Sequence, residues 1–273
     1  MSSFPISRLS RHGLKGAKNL PTVSSQTSLS ARAYATPSKQ KRRTAIVTRS
    51  SQGIGKAIAL RLAEDGYDIL VNDVQTNETG VLEVVKEVKS LGRNAFPYLA
   101  DVSKLNEVER MVETSVSELG PLNIMITNAG IAGFGSHRAG CASNVRNKHS
   151  VAAFKPSHML SHYTASKWAV RGLTISFALE IAAHKITVNA YAPGVVGTAM
   201  WDLINEEMGK KTGAKKGETI KKWSEELIAL GRTSVPSDAS NLVSFLSDPD
   251  SDYTTGQTIL VDGGMVYTYG RTL

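Results

Sequence analysis

Apolar residues beyond residue 44 follow two alternating spacings. Positions that recur every three or four residues, as on one face of a helix, occur over 81–91 and 108–119. Each of these segments ends at a glycine, Gly92 or Gly120, a residue that commonly terminates helices. A third helix is expected from Lys56 to Glu64. Short apolar, β-branched runs predict strands at 44–47, 69–71, 95–99, 122–126, 186–191 and 258–261.

This alternation of strands and helices predicts an α/β fold. It favours a single domain with a doubly wound parallel sheet of the Rossmann type. The chain of 273 residues is 41% hydrophobic, which is enough to bury one substantial core. No internal repeat and no linker to a second domain is visible, so we expect the domain to span residues 42–273.

The basic charge of the chain is confined to its N-terminal segment. Residues 1–43 contain nine Lys or Arg and no acidic residue, so residues 44–273 carry a formal charge of −1 although the whole chain has +8. A nucleic-acid-binding domain needs a basic surface of its own. We therefore predict no nucleic-acid partner.

Residues 1–41 have the composition of a mitochondrial transit peptide. They are rich in Ser and Arg and lead through Arg32-Ala33-Tyr34-Ala35, which resembles the cleavage site of the matrix processing peptidase. Cleavage there would leave a chain that starts near Ala35. The alternatives are a disordered basic tail or an extension from a misassigned start codon, and the protein would then be cytoplasmic.

Cysteine content and apolar run length exclude further classes of protein. The single cysteine, Cys141, cannot form an internal disulfide or a CxxC metal or redox site. No apolar run approaches the roughly 18 residues of a membrane span. We expect no metal site and no membrane span.

Candidate chemistry lies in Tyr163-Thr164-Ala165-Ser166-Lys167, on a helix expected to run to about Ala183. A spacing of four places Tyr163 and Lys167 on one helical face. The lysine ammonium would favour the phenolate and lower the pKa of Tyr163, which would make it an acid/base group near neutral pH. By itself the pair is also explained by a solvated lysine beside a packed aromatic ring.

Other motifs stand before and after this pair. They are Gly53-Ile54-Gly55, Asp101-Val102, Asn128-Ala129-Gly130, Ser150 and Pro193-Gly194. In this order and spacing the chain resembles the short-chain dehydrogenase/reductase family from about Arg42 to Tyr267. Its later segments are most similar to the diacetyl/acetoin reductases and 2,3-butanediol dehydrogenases.

The resemblance implies an NAD cofactor and a catalytic group of Ser150, Tyr163 and Lys167. Tyr163 would exchange a proton with the substrate oxygen, Lys167 would also hold the nicotinamide ribose, and Ser150 would bind the substrate carbonyl. Asp73 would accept hydrogen bonds from the adenosine ribose and repel a 2′-phosphate, although a plain turn residue is the alternative. The remaining cofactor contacts implied are Gly53, Ile54, Gly55, Asp101, Val102, Asn128, Gly130, Pro193, Gly194, Val196 and Thr198. The segment from Met200 to about Leu230 would form a mobile lid over the substrate.

Two departures from the family pattern put activity in doubt. Arg49 replaces the first glycine of the turn Thr48–Gly55, where a conformation open mainly to glycine would cost about 1–3 kcal/mol in strain. Its guanidinium would otherwise grip a phosphate. Only 19 residues separate Gly130 from Ser150, too few for the family's long helix, catalytic asparagine and central strand. We therefore expect a shortened central crossover without that strand, with His137 and His149 in solvent.

The sequence thus leaves two function classes open. The first is an NAD(H)-dependent oxidoreductase that interconverts a small ketone or diketone, such as diacetyl or acetoin, and a secondary alcohol. The second is a catalytically impaired or dead relative that acts as a binding or scaffold protein, as the result of mutation or an error in the gene model. A small-molecule carbonyl or alcohol is the expected partner, and a homo-oligomer is allowed but not determined.

Overall fold

The computed structural model describes residues 42–130, 146–156, 161–199, 201, 202, 206, 213, 215 and 217–268. The N-terminal segment, Cys141, His137 and part of the expected lid lie outside these residues. By proximity of Cα atoms, Lys41–Leu273 form one compact unit. Within the described part of the chain, no helix is both long and apolar enough to cross a membrane.

Seven strands, all paired in parallel, carry the fold within the described part of the chain. They are β1 (Arg43–Val47), β2 (Tyr67–Asp73), β3 (Ala95–Leu99), β4 (Leu122–Ile126), β5 (Arg146–Lys148), β6 (Asn189–Pro193) and β7 (Thr258–Val261). The order is β3-β2-β1-β4 in one sheet and β5-β6-β7 in the other. The Lys148 N–H donates to Thr127 O at 3.1 Å and so joins the two sheets at the end of β4. The strand order reverses between β1 and β4, which is where open α/β sheets bind ligands.

The short central strand β5 corrects the expectation that residues 131–149 leave no room for one. Its three residues pair in register with Asn189–Tyr191 of β6. A strand this short needs no hydrophobic alternation of its own, because its backbone bonds to strands on both sides stabilise it. Residues 131–145, where a crossover helix would stand, lie outside the described residues.

Helices cover both faces of the sheet, as predicted for a doubly wound fold. Their bounds are α1 (Gly53–Glu64), α2 (Glu78–Ser90), α3 (Leu105–Leu119), α4 (Ser161–Glu180), α5 (Glu218–Leu227) and α6 (Pro236–Ser247). One core cluster joins α1, α2 and α6 to the sheet and includes Ile58, Leu62, Val84 and Val243. A second cluster, with Ile46, Leu70 and Met111, packs α3 on the opposite face.

Helix α4, which carries the candidate chemistry, is poorly covered. Only Thr174 and Ala178 are buried among its twenty residues. Trp168, Ile175 and Leu179 are 49%, 46% and 74% exposed. Its apolar outer face is therefore left in solvent by the described residues.

Candidate active site

The turn between β1 and α1 adopts the left-handed conformation expected at position 49. Arg49 has φ +50° and Gly53 has φ +57°. Gly55 is required for another reason, since a β-carbon there would lie 2.1 Å from the Arg49 carbonyl oxygen. The turn thus keeps its shape at the cost of placing one non-glycine residue at positive φ.

The Arg49 side chain reaches across the turn to the end of β4. Its guanidinium donates a hydrogen bond to the carbonyl oxygen of Gly130. A β-carbon built on Gly130 would lie 3.7 Å from Lys167 Nζ, so the lysine ammonium stands beside the same residue. The guanidinium therefore bridges the carboxyl ends of β1 and β4.

Asn128 holds this turn to the sheet from below. Its Nδ2 donates to the carbonyl oxygens of Thr48 at 3.0 Å and Arg49 at 3.1 Å. Its Oδ1 accepts a 2.9 Å hydrogen bond from Tyr191 Oη. The buried Asn128 side chain is thus used for structure, which leaves the backbone of 128–130 to border a ribose.

The start of α1 is suited to an anion. The helix has no side-chain cap at Gln52 and no acidic residue in its first turn. Backbone N–H groups and the positive end of a helix dipole attract phosphate at such a position. The Gly53-Ile54-Gly55 segment therefore fits a pyrophosphate, although the Ile54 side chain itself is buried in the core.

Asp73 is buried at the end of β2, with both carboxylate oxygens hydrogen-bonded. One oxygen accepts from the Ser51 hydroxyl and, at 3.4 Å, from the Ser51 N–H. The other accepts from Val74 N–H and Asn77 Nδ2. Asp73 is therefore fixed against the glycine-rich turn and is more than a turn residue.

Asp101 and Val102 follow β3, at the outer edge of the sheet and away from the catalytic residues. Both are partly exposed. Hydrogen bonds from Ser103 hold the pKa of the Asp101 carboxyl below its usual range. The pair follows the strand β3, which is paired with β2, the strand that ends at Asp73.

Ser150, Tyr163 and Lys167 come together at the end of β5. Ser150 caps a short 3₁₀ turn, Val151–Ala153, by accepting from Ala152 N–H at 3.3 Å. Its side chain also hydrogen-bonds Tyr163. Lys167 Nζ lies 5.5 Å from the centre of the Tyr163 ring and donates to the Lys148 carbonyl oxygen at 3.0 Å.

The expected lowering of the Tyr163 pKa is wrong for this unliganded site. Burial raises the pKa of Tyr163 and outweighs the lowering by the Ser150 hydrogen bond. Burial also lowers the pKa of Lys167, to about 8. The lysine lies beside the ring and bonds a backbone carbonyl, so desolvation dominates both groups.

The two residues before Ser150 were not identified from the sequence. His149 is fully buried rather than solvated, with Nε2 3.4 Å from Thr174 Oγ1, and burial lowers its pKa to about 4. Burial together with the Lys167 and Arg49 cations lowers the pKa of Lys148 to about 8. Adjacency to Ser150 was the available signal for both.

The segment after β6 forms the opposite side of the cleft. Gly194 donates to Val261 O at 3.1 Å, and a β-carbon on it would lie 3.1 Å from Asp262. Val196 is buried and bridges to Ser234, while the Thr198 methyl lies 3.6 Å from a β-carbon built on Gly53. The chain from Pro193 to Thr198 thus faces the glycine-rich turn.

We assign none of the described residues to the role of the family's catalytic asparagine. Asn144 lies outside the described residues, and Asn147 is within β5. Among the residues that the structure describes, no group of three or more His, Cys, Asp or Glu side chains could hold a metal ion.

Comparison with known proteins identifies the family. Residues 43–149 match the family described as short chain dehydrogenase, and residues 136–266 match the one described as Enoyl-(Acyl carrier protein) reductase. A diacetyl reductase [(S)-acetoin forming] of Staphylococcus epidermidis is 41% identical over 257 residues, which cover 82% of this chain and 99% of the relative. An L-2,3-butanediol dehydrogenase of Corynebacterium glutamicum is 38% identical over 254 residues, 82% of this chain and 98% of the relative.

Solved structures agree. An acetoin dehydrogenase from Salmonella typhimurium is 30% identical, with a TM-score of 0.70 over 85% of this chain and 100% of that one. A carveol dehydrogenase from Mycobacterium avium in complex with NAD is 25% identical, with a TM-score of 0.76 over 83% and 98%. An actinorhodin polyketide ketoreductase with NADPH is 27% identical, with a TM-score of 0.76 over 82% and 97%.

The alignment with the Staphylococcus relative also shows that this chain is shortened. It spans 257 positions, yet 82% of a 273-residue chain is fewer residues than that. The relative therefore has residues within the aligned region that this chain lacks. With the parallel sheet, the glycine-rich turn and the Ser150, Tyr163 and Lys167 group in place, the chain belongs to the short-chain dehydrogenase/reductase family of oxidoreductases.

Proposed function

We propose that this protein is an NAD(H)-dependent oxidoreductase that interconverts a small ketone or diketone of the diacetyl/acetoin type and a secondary alcohol. The observation that supports this best is the Ser150, Tyr163 and Lys167 group at the end of β5, beside an uncapped α1 terminus. The names of the relatives, diacetyl reductase and 2,3-butanediol dehydrogenase, supply the substrate class.

The residues of the site divide the chemistry of carbonyl reduction among them. Ser150 would donate a hydrogen bond to the substrate oxygen, and Tyr163 would donate the proton that this oxygen gains. Burial keeps Tyr163 protonated, which suits a proton donor. The bound dinucleotide supplies the hydride, and Lys167, beside Gly130, would hold its ribose. In the reverse direction Tyr163 takes the proton from the alcohol.

NAD rather than NADP is favoured by Asp73. The buried carboxylate stands at the end of β2 and contacts the turn that would carry the pyrophosphate. A 2′-phosphate at this place would meet a negative charge. Arg49, the nearest candidate for a compensating cation on that turn, directs its guanidinium to Gly130 instead.

The second candidate function, an impaired relative that binds without turnover, is favoured by two observations. The Arg49 guanidinium crosses the ends of β1 and β4, where a dinucleotide would lie, and only 19 residues separate Gly130 from Ser150. Such a protein would still have the cleft between the glycine-rich turn and the chain from Pro193 to Thr198. It would not hold the substrate carbonyl in line with the hydride of the cofactor.

Turnover of diacetyl with NADH by the purified full chain separates the two candidates. We expect measurable oxidation of NADH that Tyr163→Phe abolishes, because the phenylalanine cannot donate the proton. Tyr253→Phe, at a fully exposed tyrosine, is the matched control and should leave the rate unchanged. If the protein binds the dinucleotide but shows no turnover that depends on Tyr163, the result supports the non-catalytic function.

We further propose that the protein is mitochondrial, on the basis of residues 1–41 with their Arg content and lack of acid. Residues 1–45 fused to a fluorescent protein should direct it to mitochondria. The same fusion with the arginines in this segment changed to glutamine is the control and should remain diffuse. A diffuse signal from the unmodified fusion would favour the cytoplasmic alternative.

A further inference from the structure

The two groups that would bind the substrate oxygen stand on different elements. Ser150 caps the 3₁₀ turn Val151–Ala153, whereas Tyr163 lies near the start of α4, and a hydrogen bond joins their side chains. Residues 150–154 are here termed the Ser150 turn. Reacting groups on separate elements stay aligned only when contacts between those elements hold them in place. The contacts between α4 and the Ser150 turn therefore decide the geometry of the site.

Helix α4 binds carbonyl oxygens on both sides of Ser150. Lys167 Nζ donates to the Lys148 carbonyl oxygen at 3.0 Å, two residues before the serine. Arg171 Nη1 donates to the Ala153 carbonyl oxygen at 3.2 Å, three residues after it. One helix thus holds the chain before and after the serine.

The Arg171 guanidinium makes a second contact with the Ser150 turn. Its Cζ lies 4.2 Å from the centre of the Phe154 ring, and 5.7 Å from the centre of the Trp168 ring on its own helix. A planar guanidinium can stack on an aromatic ring while its N–H groups donate in the plane, which the ammonium of a lysine cannot do. No ion pair formed among the residues that the structure describes includes Arg171. The guanidinium is therefore used to anchor the turn.

Backbone hydrogen bonds connect this anchor to the serine. The Ala153 N–H donates to the Ser150 carbonyl oxygen at 2.9 Å, and the Ala152 N–H donates to the Ser150 hydroxyl oxygen at 3.3 Å. The turn is closed on itself, so a displacement of Ala153 would move Ser150 with it. Tyr163 and Arg171 are two steps of four residues apart on α4, a spacing that keeps side chains on one helical face. Arg171 is thus linked to both reacting groups.

From these contacts, and resting on the proposed function, we propose that Arg171 is a positioning residue for carbonyl reduction, which holds the Ser150 hydroxyl against Tyr163 so that both reach one substrate oxygen. It acts through the backbone of the Ser150 turn and not on the substrate itself. Without it the turn would be free to move relative to α4, and the substrate oxygen would lose either its hydrogen bond or its proton donor. The rate of the chemical step therefore depends on Arg171, whereas dinucleotide binding does not.

A double-mutant cycle with Ser150 tests this role in the full chain. Arg171→Met keeps a long side chain and removes the charge and the planar donors. We expect it to lower the single-turnover rate of diacetyl reduction by NADH about tenfold. The dissociation constant of NADH should not change. In Ser150→Ala, which has no hydroxyl to position, the same substitution should change the rate by less than about twofold.

A spectroscopic signature tests the same contact without turnover. In protein labelled with ¹³C at the tyrosine Cζ, Tyr163→Phe identifies the signal of Tyr163. Ser150→Ala should shift this signal because the phenol loses its hydrogen-bond partner, and Arg171→Met should shift it in the same direction. Arg110→Met, at an exposed arginine on α3, is the matched control and should change neither the signal nor the rate.

Thermal unfolding of each variant shows whether it is folded. Arg171→Lys keeps the charge but cannot stack and donate together, so it should show a smaller loss of rate, and it replaces Arg171→Met in the cycle if that variant is unfolded. An equal loss of rate with and without the Ser150 hydroxyl, or an unmoved Tyr163 signal, would overturn this inference and leave the proposed function standing. Absence of Tyr163-dependent turnover in the unmodified chain would overturn the proposed function, and with it the role of Arg171 in reduction.

Discussion

At the scale of single residues, Arg49 combines backbone strain with a new contact. Its φ of +50° lies in the left-handed region that favours glycine. Its guanidinium bond to Gly130 connects two strand ends that Asn128 also joins. We therefore expect the backbone conformation of Arg49 to lower the free energy of unfolding and its side-chain hydrogen bond to raise it.

Two substitutions separate these effects. Arg49→Ala removes the side-chain bond and keeps the strain, whereas Arg49→Gly removes both. We expect the glycine variant to be more stable than the alanine variant by about 1 kcal/mol in the free energy of unfolding. Urea denaturation measures the difference. Equal stability of the two variants would show that this turn tolerates a β-carbon at position 49.

Asp73 makes a separate prediction about cofactor choice. Dinucleotide binding measured by calorimetry should be tighter for NADH than for NADPH, because the 2′-phosphate would lie against the carboxylate. Asp73→Asn keeps the acceptor oxygen for Ser51 and removes the charge. It should therefore narrow the difference in affinity between NADH and NADPH about tenfold or more. A preference for NADPH in the unmodified protein would mean that a positively charged side chain binds the 2′-phosphate.

At the scale of an element, the end of β5 carries two ionisable residues inside the fold. Lys148 at its end and His149 directly after it are held by backbone bonds to Thr127 O and Tyr191 O. Lys148 is partly buried and His149 fully buried, because helices cover the faces of a parallel sheet. The stability of this strand is therefore coupled to protonation.

His149 should make the fold sensitive to acid. Its pKa is about 4 in the folded chain against an ordinary 6.5, so the unfolded chain binds the proton first as the pH falls. Stability is fully present above about pH 6.5 and is lost toward pH 4, by up to about 3 kcal/mol. His149→Gln should reduce this loss, as measured by urea unfolding at several pH values. An unchanged slope in that variant would assign the acid sensitivity to other groups.

At the scale of the whole molecule, α4 has apolar side chains that the described residues leave exposed. Parallel strands are joined by a dozen or more residues, usually including a helix. Here residues 131–145 must join β4 to a three-residue β5, while Trp168 and Leu179 remain exposed on α4. The sheet keeps its central strand, but the described residues leave part of the helix that carries Tyr163 and Lys167 uncovered.

A longer crossover should therefore stabilise the protein and raise its activity. Insertion of a family-like helix and strand extension between Gly130 and β5 is expected to raise the melting temperature by several degrees, because it would bury apolar side chains of α4. Reduction of diacetyl should increase with it, more so when combined with Arg49→Gly. A Gly/Ser insert of equal length is the control and should do neither. Brisk turnover dependent on Tyr163 in the unmodified chain would show that the short crossover already supports the site.

Local pattern was sufficient for most elements. The strands at 95–99, 122–126 and 258–261 have the bounds that their apolar runs predict, and the helices differ from prediction by a few residues at their ends. The strand predicted at 186–191 is displaced to Asn189–Pro193, because its neighbours in the sheet select which residues pair. The family and the Ser150, Tyr163 and Lys167 group also follow from motifs in chain order.

Only the tertiary structure decided features that depend on contacts between distant residues. The Arg49 bond to Gly130 and the bonds by which Asn128 braces the turn each join segments more than fifty residues apart. The strand β5 arises in the same way, from backbone bonds to β6 and Thr127 rather than from hydrophobic alternation, and His149 is buried against Thr174. The periodicity of apolar residues predicts which face of a helix or strand a residue occupies. The burial and the pKa of a side chain depend on which other parts of the fold pack against it.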